Sequence, residues 1–221
     1  MRKTIACLAL ATLLAGAGLC PAEIIASLAD PVAIEEQDRN STLGLTFDAT
    51  SADDVFLGFT FEWRAGAVND NDFCVVWINS QNGLNLGLKA QEGPDDTDFI
   101  ARFGSSGGAY SDAQIAVGET VRLVGRLHKN TSGAGSNYSL CDLWVNPTGA
   151  DENSPDNTNN DGGSFSSVTD LGIRSVNIDA DDVIFLSDLV LATTFAEAVP
   201  EPASLLLLAL GAAAAIPRRR R

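Results

Sequence analysis

From Val55 to Trp63 the side chains alternate in character. Val55, Leu57, Phe59, Phe61 and Trp63 fall on one face, and Phe56, Gly58, Thr60 and Glu62 on the other. A period of two marks a strand with one buried face. The same period returns at Leu84, Leu86 and Leu88; at Phe99, Ala101 and Phe103; at Val121, Leu123, Gly125 and Leu127; and at Val183, Phe185, Ser187, Leu189 and Leu191. Further strands are predicted over residues 43–47, 73–78, 138–145 and 172–178. Turn-forming clusters separate them, among them Asn69-Asp70-Asn71-Asp72, Gln81-Asn82-Gly83 and Glu92-Gly93-Pro94-Asp95-Asp96. Many short strands without an amphipathic helix predict an all-β fold, an antiparallel jelly-roll β-sandwich over residues 41–198, with 23–40 as an N-terminal lead. No fixed-period repeat emerges, which disfavours a propeller or solenoid.

The two ends read differently. Met1-Arg2-Lys3 is a basic start, and the apolar run that follows to Gly18 completes the pattern of a secretory signal peptide. Small residues place cleavage after Ala22, with Ala17 as the alternative; Leu19 before Cys20 argues against lipidation. At the other end, Pro200-Glu201-Pro202 precedes an uncharged stretch, 203–216, and a basic tail, Arg218 to Arg221. Fourteen helical residues reach about 21 Å, short of a ~30 Å hydrocarbon core, and the arginines favour a cytoplasmic C-terminus. This three-part tail, residues 199–221, resembles the PEP-CTERM sorting signal of Gram-negative bacteria. The resemblance implies recognition by an exosortase, transient anchoring in the inner membrane, and delivery to the cell surface or extracellular matrix. An ordinary short membrane anchor is the alternative, and it too exports the middle of the chain.

Charge sharpens the picture. The chain carries 14 basic and 29 acidic residues, net −15. Without Arg2, Lys3, Glu201 and the terminal arginines, 8 basic and 28 acidic residues remain over 23–198, net −20. That charge solubilises an exported domain and excludes nucleic acid as a partner. Divalent cations are plausible counter-ions.

Three segments carry a second resemblance: residues 118–127, Leu143-Trp144-Val145-Asn146-Pro147, and Leu186-Ser187-Asp188-Leu189. They resemble the concanavalin A-like lectin/glucanase superfamily, in particular its laminin G-like domains. The resemblance implies sugar binding or hydrolysis, and calcium as a frequent cofactor. Hydrolysis there uses clustered carboxylates, whereas Asp179-Ala180-Asp181-Asp182 holds no Glu and Glu62 stands alone. His128, the only histidine, shares a face with Arg122 and Arg126, whose charges lower its basicity and disfavour a triad. That basic stripe would also suit an acidic polysaccharide.

Other candidates follow from residue type. Cys74 and Cys141 remain after signal removal, and in an oxidising compartment they are expected to pair, with buried thiols as the alternative. Tyr138, Asp142 and Trp144 lie at same-face spacing on one strand and form the candidate glycan contact. Asp179, Asp181 and Asp182 are the weak calcium candidates. Asn157 to Gly162 echoes the start of a calcium loop, but the twelfth position is Val168 rather than Glu. The expectation is an exported, non-catalytic sandwich associated with carbohydrate or adhesion. The alternatives are a polysaccharide-cleaving enzyme with an unrecognised carboxylate pair and a purely structural matrix protein.

Overall fold

The computed structural model describes residues 23–28, 30–35, 39–90, 99–104, 107–130, 136–160, 162–163 and 165–199. The predicted signal peptide, Pro200-Glu201-Pro202, the apolar stretch 203–216 and the arginine tail lie outside the described residues. In chain order the elements are β1 (Ile24–Leu28), β2 (Val32–Ile34), β3 (Asn40–Thr42), β4 (Asp54–Ala65), β5 (Phe73–Ile78), β6 (Leu84–Lys89) and β7 (Phe99–Phe103). They continue with β8 (Ala109–Tyr110), β9 (Thr120–Lys129), β10 (Tyr138–Val145), β11 (Asn157–Asn159), β12 (Leu171–Val176), β13 (Val183–Ala192) and the one-turn helix α1 (Phe195–Ala198).

Two antiparallel sheets form the predicted sandwich. The first runs β1-β13-β4-β9-β10-β11, with β2 also on β13; the second runs β3-β12-β5-β6-β7-β8. Alternation explains the core between them. Val55, Leu57, Phe59, Phe61 and Trp63 point inward from β4, opposite Cys74, Val76 and Ile78 of β5 and Leu84, Leu86 and Leu88 of β6, all fully buried. Phe61 meets Phe99 edge-on across the sandwich, centroids 6.1 Å apart. Burying each such Phe ring contributes about 1.5–3 kcal/mol, which side-chain ordering partly offsets.

Four expectations are corrected. On β13 the buried positions are Ile184 and Leu186, then Leu189, Leu191 and Ala192. The register to β4 shifts between Ser187 and Val190, and Asp188 has φ 50°. This bulge resets the alternation, so Val183, Phe185 and Ser187 face outward. Residues 43–47 form no strand: Gly44, at φ 68°, turns the chain out of the pleat, and pairing to β12 falls on Asn40–Thr42 instead. The lead is part of the sandwich, because β1 and β2 both pair with β13. Within the segment read as the start of a calcium loop, Asn157–Asn159 instead adds to the edge of β10 as β11.

Candidate functional site

The outer face of the first sheet is built in rows set by strand register. Asp54 pairs with His128; Phe56 with Arg126, which pairs with Asp142; Gly58 with Val124, which pairs with Trp144; and Thr60 with Arg122. Alternation therefore does place Arg122, Val124, Arg126 and His128 outward. Their cations are already engaged. Arg126 forks onto Asp142 at 2.7 and 2.6 Å. His128 Nδ1 lies 2.6 Å from Asp54. Arg122 donates to the Ala198 carbonyl at 2.5 Å and the Asp188 carbonyl at 2.8 Å, and burial lowers its pKa to about 10. The stripe is thus bound to the protein itself.

Tyr138, Asp142 and Trp144 do not form one glycan platform. The register of β10 shifts between Tyr138 and Leu140, which turns Tyr138 inward onto Phe165, centroids 5.6 Å apart. Trp144 is 1% exposed, under Phe195 of α1 and beside Phe56. Asp142 is spent on Arg126 and on the Thr158 hydroxyl, 2.5 Å away.

Tyr138 instead supports a neighbouring cleft. Its hydroxyl donates to the Ala52 carbonyl at 2.7 Å, while Lys129 Nζ donates to the Ser51 carbonyl at 2.7 Å and its backbone N–H to the Asp53 carbonyl at 3.0 Å. The segment ahead of β4 is thus pinned from below. Burial first, then the Asp53 and Asp54 charges, push the Tyr138 phenol up to about 12, which keeps it a hydrogen-bond donor at neutral pH. Above it opens a cleft of about 660 Å³ lined by Glu23, Thr50, Ser51, Ala52, Asp53, Asp54, Thr193 and Thr194. A second hollow of about 490 Å³ continues it past Asp48. Three carboxylates and four hydroxyls line the main cleft, a set that accepts from sugar hydroxyl groups and exchanges hydrogen bonds with them. Signal in the sequence for this site was limited to the run Asp48-Ala49-Thr50-Ser51-Ala52-Asp53-Asp54, which reads as an ordinary polar loop.

The calcium candidates serve a different purpose. Asp182 is fully buried; one oxygen accepts the Ala67 N–H at 3.1 Å and the other the Asp179 N–H at 2.7 Å. Asp179 accepts from the Asn69 amide, and Asp181 is exposed. These carboxylates fasten the β4–β5 turn to the β12–β13 turn. Asp182 turns both its oxygens, and Asp179 one of its own, to N–H donors, which does not fit a calcium shell that draws on these groups together. Among the described residues no three His, Cys, Asp or Glu side chains are grouped to hold a metal ion.

Asp72, 1% exposed, joins the same fastening and accepts the Asn69 N–H at 2.6 Å. Burial, with the Asp182 and Asp179 charges adding to it against that hydrogen bond, raises its pKa to about 6. Its pKa is therefore higher folded than unfolded, so folding takes up a proton between about pH 6 and pH 4. This term adds stability as pH falls through that window. The raised pKa is worth at most about 3 kcal/mol. Asp72→Asn is expected to raise the melting temperature at pH 8 and leave it nearly unchanged at pH 3, below both pKa values. Equal effects at both pH values contradict this.

The cysteine expectation resolves to its alternative. Cys74 and Cys141 are buried thiols with no bond between them. Cys141 Sγ contacts the Ala101 carbonyl on β7 at 3.6 Å, whereas Cys74 lies on β5, two strand spacings or about 10 Å along the opposite sheet. Burial pushes the Cys74 thiol up to about 12, so it is un-ionised. Iodoacetamide is expected to label neither cysteine in the native protein and both in denaturant without reductant. Failure to label them in denaturant would reveal a disulfide.

Residues 198–221 match the PEP-CTERM protein-sorting motif. No curated protein matches the chain. Among solved structures, the chain is similar to the metal-free Emp46p carbohydrate recognition domain, with 13% identity over 73% of this chain and 87% of that one, TM-score 0.48. It is also similar to the Ca2+/Man-bound exoplasmic/lumenal domain of VIP36, with 11% identity over 76% and 81%, TM-score 0.48. A third is the heptameric SAP-like pentraxin from Limulus polyphemus, with 10% identity and TM-score 0.39; it covers 70% of this chain, which spans 66% of the pentraxin.

Proposed function

We propose that the protein is a non-catalytic, glycan-associated β-sandwich, exported and sorted by an exosortase to the cell surface or exopolysaccharide matrix of a Gram-negative bacterium. The sorting motif supports the destination: its match begins at residue 198, where the sandwich's last element ends. The glycan reading is carried by one observation. The 660 Å³ cleft sets the carboxylates of Glu23, Asp53 and Asp54 and four hydroxyl side chains among apolar surface, and stands on a wall braced by Tyr138 and Lys129. Such a wall presents acceptors to sugar hydroxyls without reorganising, which limits the ordering cost of binding.

Its inertness toward glycosidic bonds is part of the reading. Hydrolysis needs two carboxyl groups facing one glycosidic bond, whereas Asp54, one of the three in the cleft, is already held by His128 at 2.6 Å with Arg126 at 4.0 Å. The test is binding to insoluble neutral polysaccharides by the full-length protein and by Asp53→Asn/Asp54→Asn. The double variant is expected to lose at least about tenfold in affinity, as for loss of charge-assisted hydrogen bonds. Unchanged binding would remove the cleft from the account.

A further inference from the structure

The N-terminal lead joins the sandwich at the rim of the polar cleft. Register sets Ile24 opposite Ala192, so Glu23 falls beside Thr193 at the open end of the β1–β13 pair. Two hydrogen bonds fix it there: the Glu23 N–H donates to the Thr193 hydroxyl at 3.2 Å, and the Thr193 N–H donates to the Glu23 carbonyl at 3.0 Å. Glu23 and Thr193 both line the 660 Å³ cleft, and Glu23 also lines the 490 Å³ hollow that continues it. The backbone nitrogen of Glu23 therefore lies at the cleft wall.

That position matters because the cleft lacks a cation. Glu23, Asp53 and Asp54 line it and Asp48 lines the adjoining hollow, whereas no Lys, Arg or His among the described residues lines either. The Glu23, Asp48 and Asp53 carboxylates make no hydrogen bond or ion pair among the described residues. His128 holds Asp54, and Lys129 is spent beneath the wall on the Ser51 carbonyl. Like charges gathered around one hollow repel one another. Four hydroxyls are the only side-chain donors lining the cleft among the described residues, although every sugar hydroxyl offers lone pairs as well as a proton.

We infer that export completes the cleft: removal of the signal peptide after Ala22 leaves Glu23 as the first residue, and its α-ammonium becomes the cation that sits among these carboxylates and donates to the hydroxyl groups of a bound glycan. This rests on the glycan reading and fixes the moment at which the site becomes competent. Hydrolysis of the Ala22–Glu23 bond sends the water oxygen to the Ala22 carboxylate, which leaves with the signal peptide, and both water hydrogens to the Glu23 nitrogen. One N–H becomes three. One of them keeps the bond to Thr193 Oγ1, which lies at the exposed surface, so the added protons are not forced into apolar surroundings. The other two are charge-assisted donors, stronger than a neutral hydroxyl. Neighbouring carboxylates favour the charged form of the amine. A terminus already fixed by reciprocal bonds to Thr193 loses little further freedom on binding. Before processing, the same atom is a peptide N–H with neither the charge nor the two extra protons.

The experiment uses the full chain after export, alongside a variant with Gly-Ser inserted between Ala22 and Glu23, which moves the amine two residues out of the cleft. N-terminal sequencing is expected to find Glu23 first; any other first residue in wild type overturns the inference. Each form is then treated with acetic anhydride at pH 7, which acetylates only uncharged amines, and the modified site is read by peptide mass. Lys89 and Lys129 carry the only other amines after residue 22. The Glu23 amine is expected to react at least about tenfold more slowly than the terminal amine of the insertion variant, as for a pKa one unit higher. Equal rates overturn the seat among the carboxylates. Binding to insoluble neutral polysaccharides should weaken about tenfold or more in the insertion variant, while an unchanged circular dichroism spectrum separates lost contact from lost fold. Binding that the insertion leaves intact but Asp53→Asn/Asp54→Asn abolishes overturns this inference and leaves the glycan reading standing. Binding that neither change weakens, or no binding by any form, overturns both.

Discussion

Trp144→Ala is expected to destabilise the protein by about 3–5 kcal/mol, the cost of emptying a large aromatic site that cannot collapse. Trp144 fills a small second core on the outer face of the first sheet, with Phe56, Val124, Phe195, Ala198 and Val199. Its ring centroid lies 5.0 Å from that of Phe195, and its Nε1 donates to the Asp151 carbonyl at 2.8 Å. Removing it therefore frees α1 and unties the turn after β10 together. The Gly58 position shows how close the docking is: a Cβ there would collide with the Ala198 carbonyl oxygen. Denaturant titration gives the loss, and limited proteolysis should show cleavage near residues 195–199 in the variant before wild type. A midpoint within experimental error of wild type contradicts the packing role. Because the sorting-motif match begins at residue 198, this cluster also holds the start of the motif against the domain.

Arg126→Met should be nearly as damaging, about 2–4 kcal/mol. The Asp142 side chain is 4% exposed and that of Arg126 28%, so the variant leaves a buried carboxylate with Thr158 as its remaining side-chain donor. Breaking one side of a buried ion pair costs about 3–5 kcal/mol, and partial exposure of the arginine lowers the figure here. The second substitution Asp142→Leu should recover much of the loss, because a buried charge without a partner costs more than an apolar pair. Additive losses in the double variant would show that Asp142 is not held by Arg126.

Register explains both what the sequence revealed and what it concealed. β4, β6, β7 and β9 were legible because each keeps strict alternation from end to end. β13 was found but half inverted, since one bulge residue at Asp188 carries no apolar signal. The lead strands were concealed because Ile24 and Ile25 are adjacent apolar residues on a short edge strand. The candidate glycan residues failed for the same reason as β13: spacing put Tyr138, Asp142 and Trp144 on one face, and the shift before Leu140 separated them. The Asp cluster at 179–182 was visible as charge, but its use as acceptors for Ala67 and Asp179 N–H groups depends on a turn 115 residues away in sequence.

The central claim is that this sandwich holds glycan without cleaving it. It is tested most directly by incubating the full-length protein with a panel of neutral and acidic polysaccharides, measuring bound protein and reducing sugar in the same tubes. The account predicts saturable binding to at least one polysaccharide with no sugar released above the protein-free control. Release of reducing sugar that scales with protein would make it an enzyme, and absence of binding across the panel would make it a structural surface protein; either contradicts the claim.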